Sequence, residues 1–273
     1  MRKKLSLAAI ASLIASTVIF AGVAPSANAA SNPLNLVKPG SLVVGMTLQF
    51  KPQMYLDANG QPAGYDYELL KRLATSLRLK LEIKNMDFAG LIPGLVSKQF
   101  DLVSVGLTKN PDREKSIQFV REYMPYTTIL AARVGDSTGS TKAAWNVAGK
   151  KITALQGAAA SRIVKADFGS ATLVEFPQQN DAFLEVASGR ADGIVVEENL
   201  LNQYRKTNPG QLAKVALPAP LSQAFGQWTV QLGNNALDAK LTKWLCDRSG
   251  TNGVLQSTFK KTMGYTMPDL PAC

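Results

Sequence analysis

From Ser41 onwards, short apolar runs alternate with amphipathic stretches, and this alternation constrains the fold more than any other feature. Strands are predicted at 41–47, 80–84, 101–105, 127–133, 151–155, 172–175, 193–196 and 224–232. Helices are predicted at 65–77, 91–98, 160–167, 181–188 and 198–206, with two more at 235–248 and 253–262 closing the chain. A polar cluster at 136–141 reads as a loop between two such series. Repeated strand–helix units predict an α/β fold with a mainly parallel sheet covered by helices. No internal sequence repeat is evident.

The ends narrow the setting. Arg2, Lys3 and Lys4 precede an apolar stretch, and Ala27-Asn28-Ala29 offers a small-x-small cleavage site. Residues 1–29 therefore read as a secretion signal cleaved near Ala29, and the mature protein is expected to be periplasmic. No later segment approaches the ~20 apolar residues of a membrane span. The chain carries +10; losing three cations with an acid-free leader leaves +7. These cations are scattered, so they read as a solvated basic surface and no nucleic-acid partner is expected. Cys246 and Cys273 both lie in the exported part, where an oxidising compartment favours a disulfide between them. The chain contains no histidine, which excludes His-based acid–base, triad or zinc chemistry. No metal and no cofactor is expected.

One stretch carries family information. Gly64-Tyr65-Asp66-Tyr67-Glu68-Leu69-Leu70 enters an amphipathic helix whose apolar face is Leu69, Leu70, Leu73, Ala74 and Leu77. Asp66 and Glu68 fall in or near its first turn, where the helix dipole favours negative charge. The string resembles the signature of the amino-acid-binding branch of bacterial periplasmic solute-binding proteins, the substrate-binding components of ABC importers. Tyr67 departs from it, since a smaller aliphatic residue is usual there. The resemblance implies an α/β, two-lobed fold with a hinge of two crossing segments and a ligand cleft between the lobes. It implies lobe one at 30–133 and 225–273 and lobe two at 134–224. The crossings would lie near 131–136 and 218–225, the latter stiffened by Pro218 and Pro220.

The same resemblance assigns candidate ligand-binding residues. Arg113, in Gly106-Leu107-Thr108-Lys109-Asn110-Pro111-Asp112-Arg113, matches the arginine whose planar fork takes a ligand carboxylate. Thr108 matches a hydroxyl donor, and Gly106 a carbonyl that meets the ligand ammonium. Glu197, after the apolar run 193–196, matches an acid that pairs with that ammonium, although the family commonly has Asp there. Glu198 beside it leaves open which of the two acids acts. Phe50 and Phe88 match aromatics that sandwich the ligand side chain. Lobe two departs from the pattern: Gly157-Ala158-Ala159 stands where the family often has Gly-Thr-Thr. Either closure rests on backbone N–H groups alone at Ala158 and Ala159, at a helix start, or the ligand is not a plain α-amino acid. Thr47, Met54, Leu155 and Val196 match side-chain-selecting positions; none is charged, which points to a neutral ligand side chain.

The reading is thus a monomeric binding protein for an amino acid or close relative, working with the membrane permease of an ABC importer. The opposing reading is an enzyme similar to cyclohexadienyl dehydratase on the same scaffold, with Glu197 as general acid. An extracellular sensory domain is a third reading, disfavoured because no membrane segment follows.

Overall fold

The computed structural model describes residues 32–250 and 253–273; the expected leader, 1–29, lies outside them. Along the chain, β1 (Ser41–Met46) leads into a small antiparallel sheet of β2 (Gln49–Phe50), β3 (Met54–Leu56) and β4 (Pro62–Ala63). Then come α1 (Tyr65–Leu77), β5 (Lys80–Asn85), α2 (Leu91–Val96), β6 (Leu102–Thr108), α3 (Pro111–Glu114) and the long β7 (Ile117–Arg133). After the polar loop follow α4 (Lys142–Trp145), β8 (Lys151–Leu155), α5 (Ala159–Asp167), β9 (Thr172–Phe176), α6 (Gln179–Ala187) and β10 (Gly193–Glu197). The chain closes with α7 (Glu198–Thr207), β11 (Leu212–Lys214), β12 (Ser222–Gln231), α8 (Asn235–Cys246) and α9 (Val254–Met263).

The large sheet runs β5-β1-β6-β12-β7-β10-β8-β9, with β11 on β7. Two parallel blocks, β5-β1-β6 and β10-β8-β9, flank an antiparallel pair, β12 and β7. The expected mainly parallel sheet is therefore corrected to a mixed one. β7 also begins ten residues earlier than the predicted 127. The apolar alternation at 117–126 is irregular, because Arg121, Glu122 and Pro125 interrupt it and the β12 register shifts there. β7 exchanges partners near Thr128: Thr128 and the residues before it pair with β12, and Thr128–Ala132 pair with β10. This continuity links the two halves of a two-lobed α/β fold.

The helices form where the apolar spacing demands a buried face. α1 buries Leu69, Leu70, Leu73 and Ala74, while Leu77 stays half-buried. Asp66 lies in the first turn as expected, and it is fully buried among side-chain donors. One apolar cluster gathers Leu42, Val44, Leu73, Phe100, Leu102, Trp228, Leu241 and Phe259. A second, under β8 and β10, gathers Trp145, Ile152, Val164, Phe168 and Val195. Cys246, the last residue of α8, is disulfide-bonded to Cys273 across a Cα–Cα distance of 5.9 Å, tying the C-terminal tail to that helix. Among the described residues no helix is long and apolar enough to cross a membrane.

Candidate functional site

The carboxyl ends of β6 and β10, with the start of α5, converge on one cleft. It is lined by Phe50, Phe88, Val105, Gly106, Thr108, Arg113, Tyr126, Leu155, Ala158, Ala159, Glu197 and Leu200. All eight candidate residues lie on it, although they come from segments far apart in sequence. Clefts at strand ends are where open α/β sheets usually take ligands.

Arg113 is placed by short-range chemistry. Asn110 caps α3, its Oδ1 accepting the N–H groups of Asp112 and Arg113 at 3.1 Å each, and Pro111 occupies the first helical position. The turn directs the Arg113 side chain inward until only 8% of the residue is exposed. Its guanidinium donates to the carbonyl oxygens of Thr108 (2.8 Å) and Gly157 (3.0 Å). Among the described residues no carboxylate pairs with it. Burial, with the Arg162 charge nearby, lowers its pKa to about 10, so it is cationic at neutral pH. A buried cation held only by neutral oxygens is costly, and a bound anion would relieve that cost.

The opposite wall is sparser. No side chain caps α5, so Ala158 and Ala159 present an apolar surface and an open helix start. Gly157, at φ +74°, makes the turn that aims its carbonyl at Arg113. Arg162, from the second turn of α5, reaches the Thr108 hydroxyl at 3.5 Å. Glu197 ends β10 and lines the cleft, where burial raises its carboxyl above the ordinary carboxylate range. Glu198 points elsewhere: it pairs with Lys214 at 2.9 Å and borders a separate hollow with Thr127 and Tyr265.

Phe50 and Phe88 both line the cleft, their ring centroids 6.2 Å apart at 50° to one another. A planar group held between two rings needs roughly 7 Å at van der Waals contact on both faces, and the rings here stand closer than that. Of the four side-chain-selecting positions, only Leu155 lines the cleft. Met54 and Val196 are fully buried in the core, and Thr47 is spent on the Gln49 amide at 2.9 Å. Strand alternation turns Val196 away from the face that Glu197 shows.

Val105, Tyr126 and Leu200 complete the lining and were missed from the sequence. Leu200 sits three residues after Glu197, so helical spacing could have found it. Tyr126 falls one residue before the predicted strand at 127, and nothing local marks it.

The chain from residue 42 to 264 matches the family model of bacterial extracellular solute-binding proteins, family 3. The chain belongs to that family. It is 27% identical over 204 residues to ABC transporter arginine-binding protein 1 of Escherichia coli (strain K12), covering 74% of this chain and 82% of that protein. Among solved structures it resembles an ancestral arginine-binding protein bound to glutamine, with a TM-score of 0.76 and 29% identity. That match covers 84% of this chain and 100% of the other. It also resembles AncCDT-1, an ancestral amino acid-binding protein and precursor of cyclohexadienyl dehydratase. There the TM-score is 0.75 with 26% identity, covering 82% of this chain and 96% of that one.

Proposed function

We propose that this solute-binding protein captures an amino acid with a neutral side chain in the periplasm and delivers it, as a monomer, to the membrane permease of an ABC importer. The observation that carries the reading is Arg113: a buried guanidinium, without an acidic partner among the described residues, lining the cleft. Its fork takes the ligand carboxylate, helped by the Thr108 hydroxyl and the open start of α5. Glu197 takes the ammonium, with the Gly106 carbonyl beside it. Phe50, Phe88, Leu155, Ala158 and Ala159 cover the rest.

A neutral side chain follows from the charge inventory. Among the described residues Glu197 is the only carboxylate lining the cleft, and the ammonium uses it. A second ligand cation would find only the faces of Phe50 and Phe88. The relatives named for arginine pull the other way, and the glutamine-bound ancestral protein agrees with the charge inventory.

In this reading the signal peptide is 1–29, lobe one comprises 30–133 and 225–273, and lobe two comprises 134–224. Ligand-driven hinge closure brings the lobes together. Contacts of that kind support it: Gln178 donates to Asp87 at 2.7 Å, and the Gln179 N–H to Gln49 Oε1 at 2.7 Å.

Native mass spectrometry of protein purified without denaturation, followed by a thermal-shift panel of the common amino acids, tests the proposal. A retained amino-acid mass and the largest shift with a neutral amino acid such as glutamine are expected. No shift with any amino acid overturns the capture reading. A larger shift with arginine or lysine overturns the side-chain preference.

A lyase on this scaffold is the second reading, favoured by the likeness to AncCDT-1 and by the raised Glu197 carboxyl in the cleft. Incubation with prephenate or arogenate decides it: phenylpyruvate or phenylalanine released by the wild type and absent with Glu197→Gln would establish an enzyme.

A further inference from the structure

Behind the Arg113 wall of the cleft runs a buried hydrogen-bond relay. At its centre the Asp66 carboxylate, with no exposed surface, accepts the Tyr123 hydroxyl at 2.6 Å and the Ser104 hydroxyl at 2.9 Å on Oδ2. Ser104 itself accepts the Trp228 indole N–H at 2.8 Å, so its one proton is committed to Asp66. The other oxygen, Oδ1, accepts Gln53 Nε2 at 3.3 Å.

These partners impose a direction. An ionised carboxylate can only accept, so the amino end of Gln53 must face Asp66. Its carbonyl end then faces Tyr126, whose hydroxyl it accepts at 2.8 Å. Among the described residues that hydroxyl's other acceptor is the Val105 carbonyl, at 3.2 Å. Either way the Tyr126 proton is turned into the protein, and its oxygen can meet a ligand only as an acceptor. That oxygen stands against the Cα of Gly106, where a Cβ would overlap it and where φ is +64°. Gly106, Tyr126 and Glu197 all line the cleft. Burial and the charges of Asp66 and Glu197 raise the pKa of the phenol well above its ordinary value, so it stays neutral.

We propose that Tyr126 is a specificity-determining acceptor for the ligand's ammonium group, and that Asp66 is the positioning residue that, through Gln53, keeps the Tyr126 proton out of the cleft. The inference rests on the amino-acid reading above and adds to it a selection against ligands without the ammonium. Such ligands leave the Tyr126 oxygen and Glu197 without a donor, a penalty that falls on buried polar groups.

The test compares dissociation constants for L-glutamine and for 5-amino-5-oxopentanoic acid, which is glutamine without its α-amino group. L-arginine and 5-guanidinopentanoic acid serve as a second pair. In wild type the amino acid binds more tightly. Tyr126→Phe keeps the ring and should shrink that ratio about tenfold, the scale of one hydrogen bond to a charged group. Asp66→Asn offers an N–H towards Gln53 and so reverses its amide, whose N–H then points at Tyr126; the ratio should fall about threefold. Adding Gln53→Glu restores an acceptor for both neighbours and should bring the ratio back, which a merely structural role would not do. Tyr126→Phe with an unchanged ratio overturns the acceptor role. Asp66→Asn that weakens both ligands equally, or is not rescued, overturns the positioning role. If the wild type binds none of the common amino acids, the capture reading falls and this inference with it; an unchanged ratio in a protein that binds leaves the capture reading standing.

Discussion

The two walls of the cleft are built on different principles. The wall from β6, α3 and β7 is polar and over-determined: Arg113 is held by a capped turn, and Tyr126 by a relay that ends on a buried carboxylate. The facing wall, from β8, α5 and β10, is mostly apolar, and among the described residues Glu197 is its one charged lining residue. Side chains locked by several partners present fixed donors and acceptors without further ordering cost when ligand arrives. The first wall therefore recognises, whereas the second mainly covers and excludes water. The absence of hydroxyls at Ala158 and Ala159 sharpens the contrast.

The largest expected effect comes from removing the centre of the first wall. Arg113→Ala should lower amino-acid affinity at least a hundredfold, the scale for deleting one partner of a buried charged contact. The fold should survive, because the deleted cation has no acidic partner to strand. Calorimetry and a melting curve read both; unchanged affinity would dissolve the distinction between the walls.

The relay behind that wall should also write itself into stability. Burial raises Asp66 from 3.8 to about 6, and hydrogen bonds from Tyr123, Ser104 and Gln53 only partly oppose it. The folded protein thus keeps this proton to higher pH than the unfolded chain does. The stability it contributes is complete below about pH 4 and is lost as pH rises through about 6, worth about 3 kcal/mol in total. Denaturant melts of wild type and Asp66→Asn across pH 4 to 7 isolate this slope, since Glu197 and Asp101, raised in the same sense, are common to both proteins. Parallel curves would show that Asp66 titrates as an ordinary carboxyl.

The covering wall should respond less. Glu197→Gln should weaken amino-acid binding about tenfold, because the amide oxygen and Tyr126 still accept from the ammonium. A loss equal to that of Arg113→Ala would make both walls equal in recognition. The smallest effect expected is a gain: Ala159→Thr adds a hydroxyl at the open start of α5 and should tighten binding a few-fold, about 0.5–1 kcal/mol. Weaker binding would mean that the ligand carboxylate does not lie at that helix end.

Much of this molecule was legible from residues close in sequence. Most of the longer strand and helix positions follow from apolar spacing, although the first half of β7 and the short β2, β3, β4, β11, α3 and α4 do not, and the turn that carries Arg113 follows from Asn110 and Pro111. The pairing of Cys246 with Cys273 joins the two cysteines of the sequence. Each of these depends on neighbours or on composition, so the sequence by itself determined them. Tertiary structure decided the rest. Strand direction in the middle of the sheet depends on β7 meeting β12, about a hundred residues later, and no local pattern encodes that pairing. Which of Glu197 and Glu198 faces the cleft is set by strand end, helix start and Lys214 together. Asp66 looked like a first-turn acid; Ser104 and Tyr123, 38 and 57 residues away, make it a buried acceptor. Hydrogen-bond direction is a property of a closed network, and the network exists only once distant segments have packed.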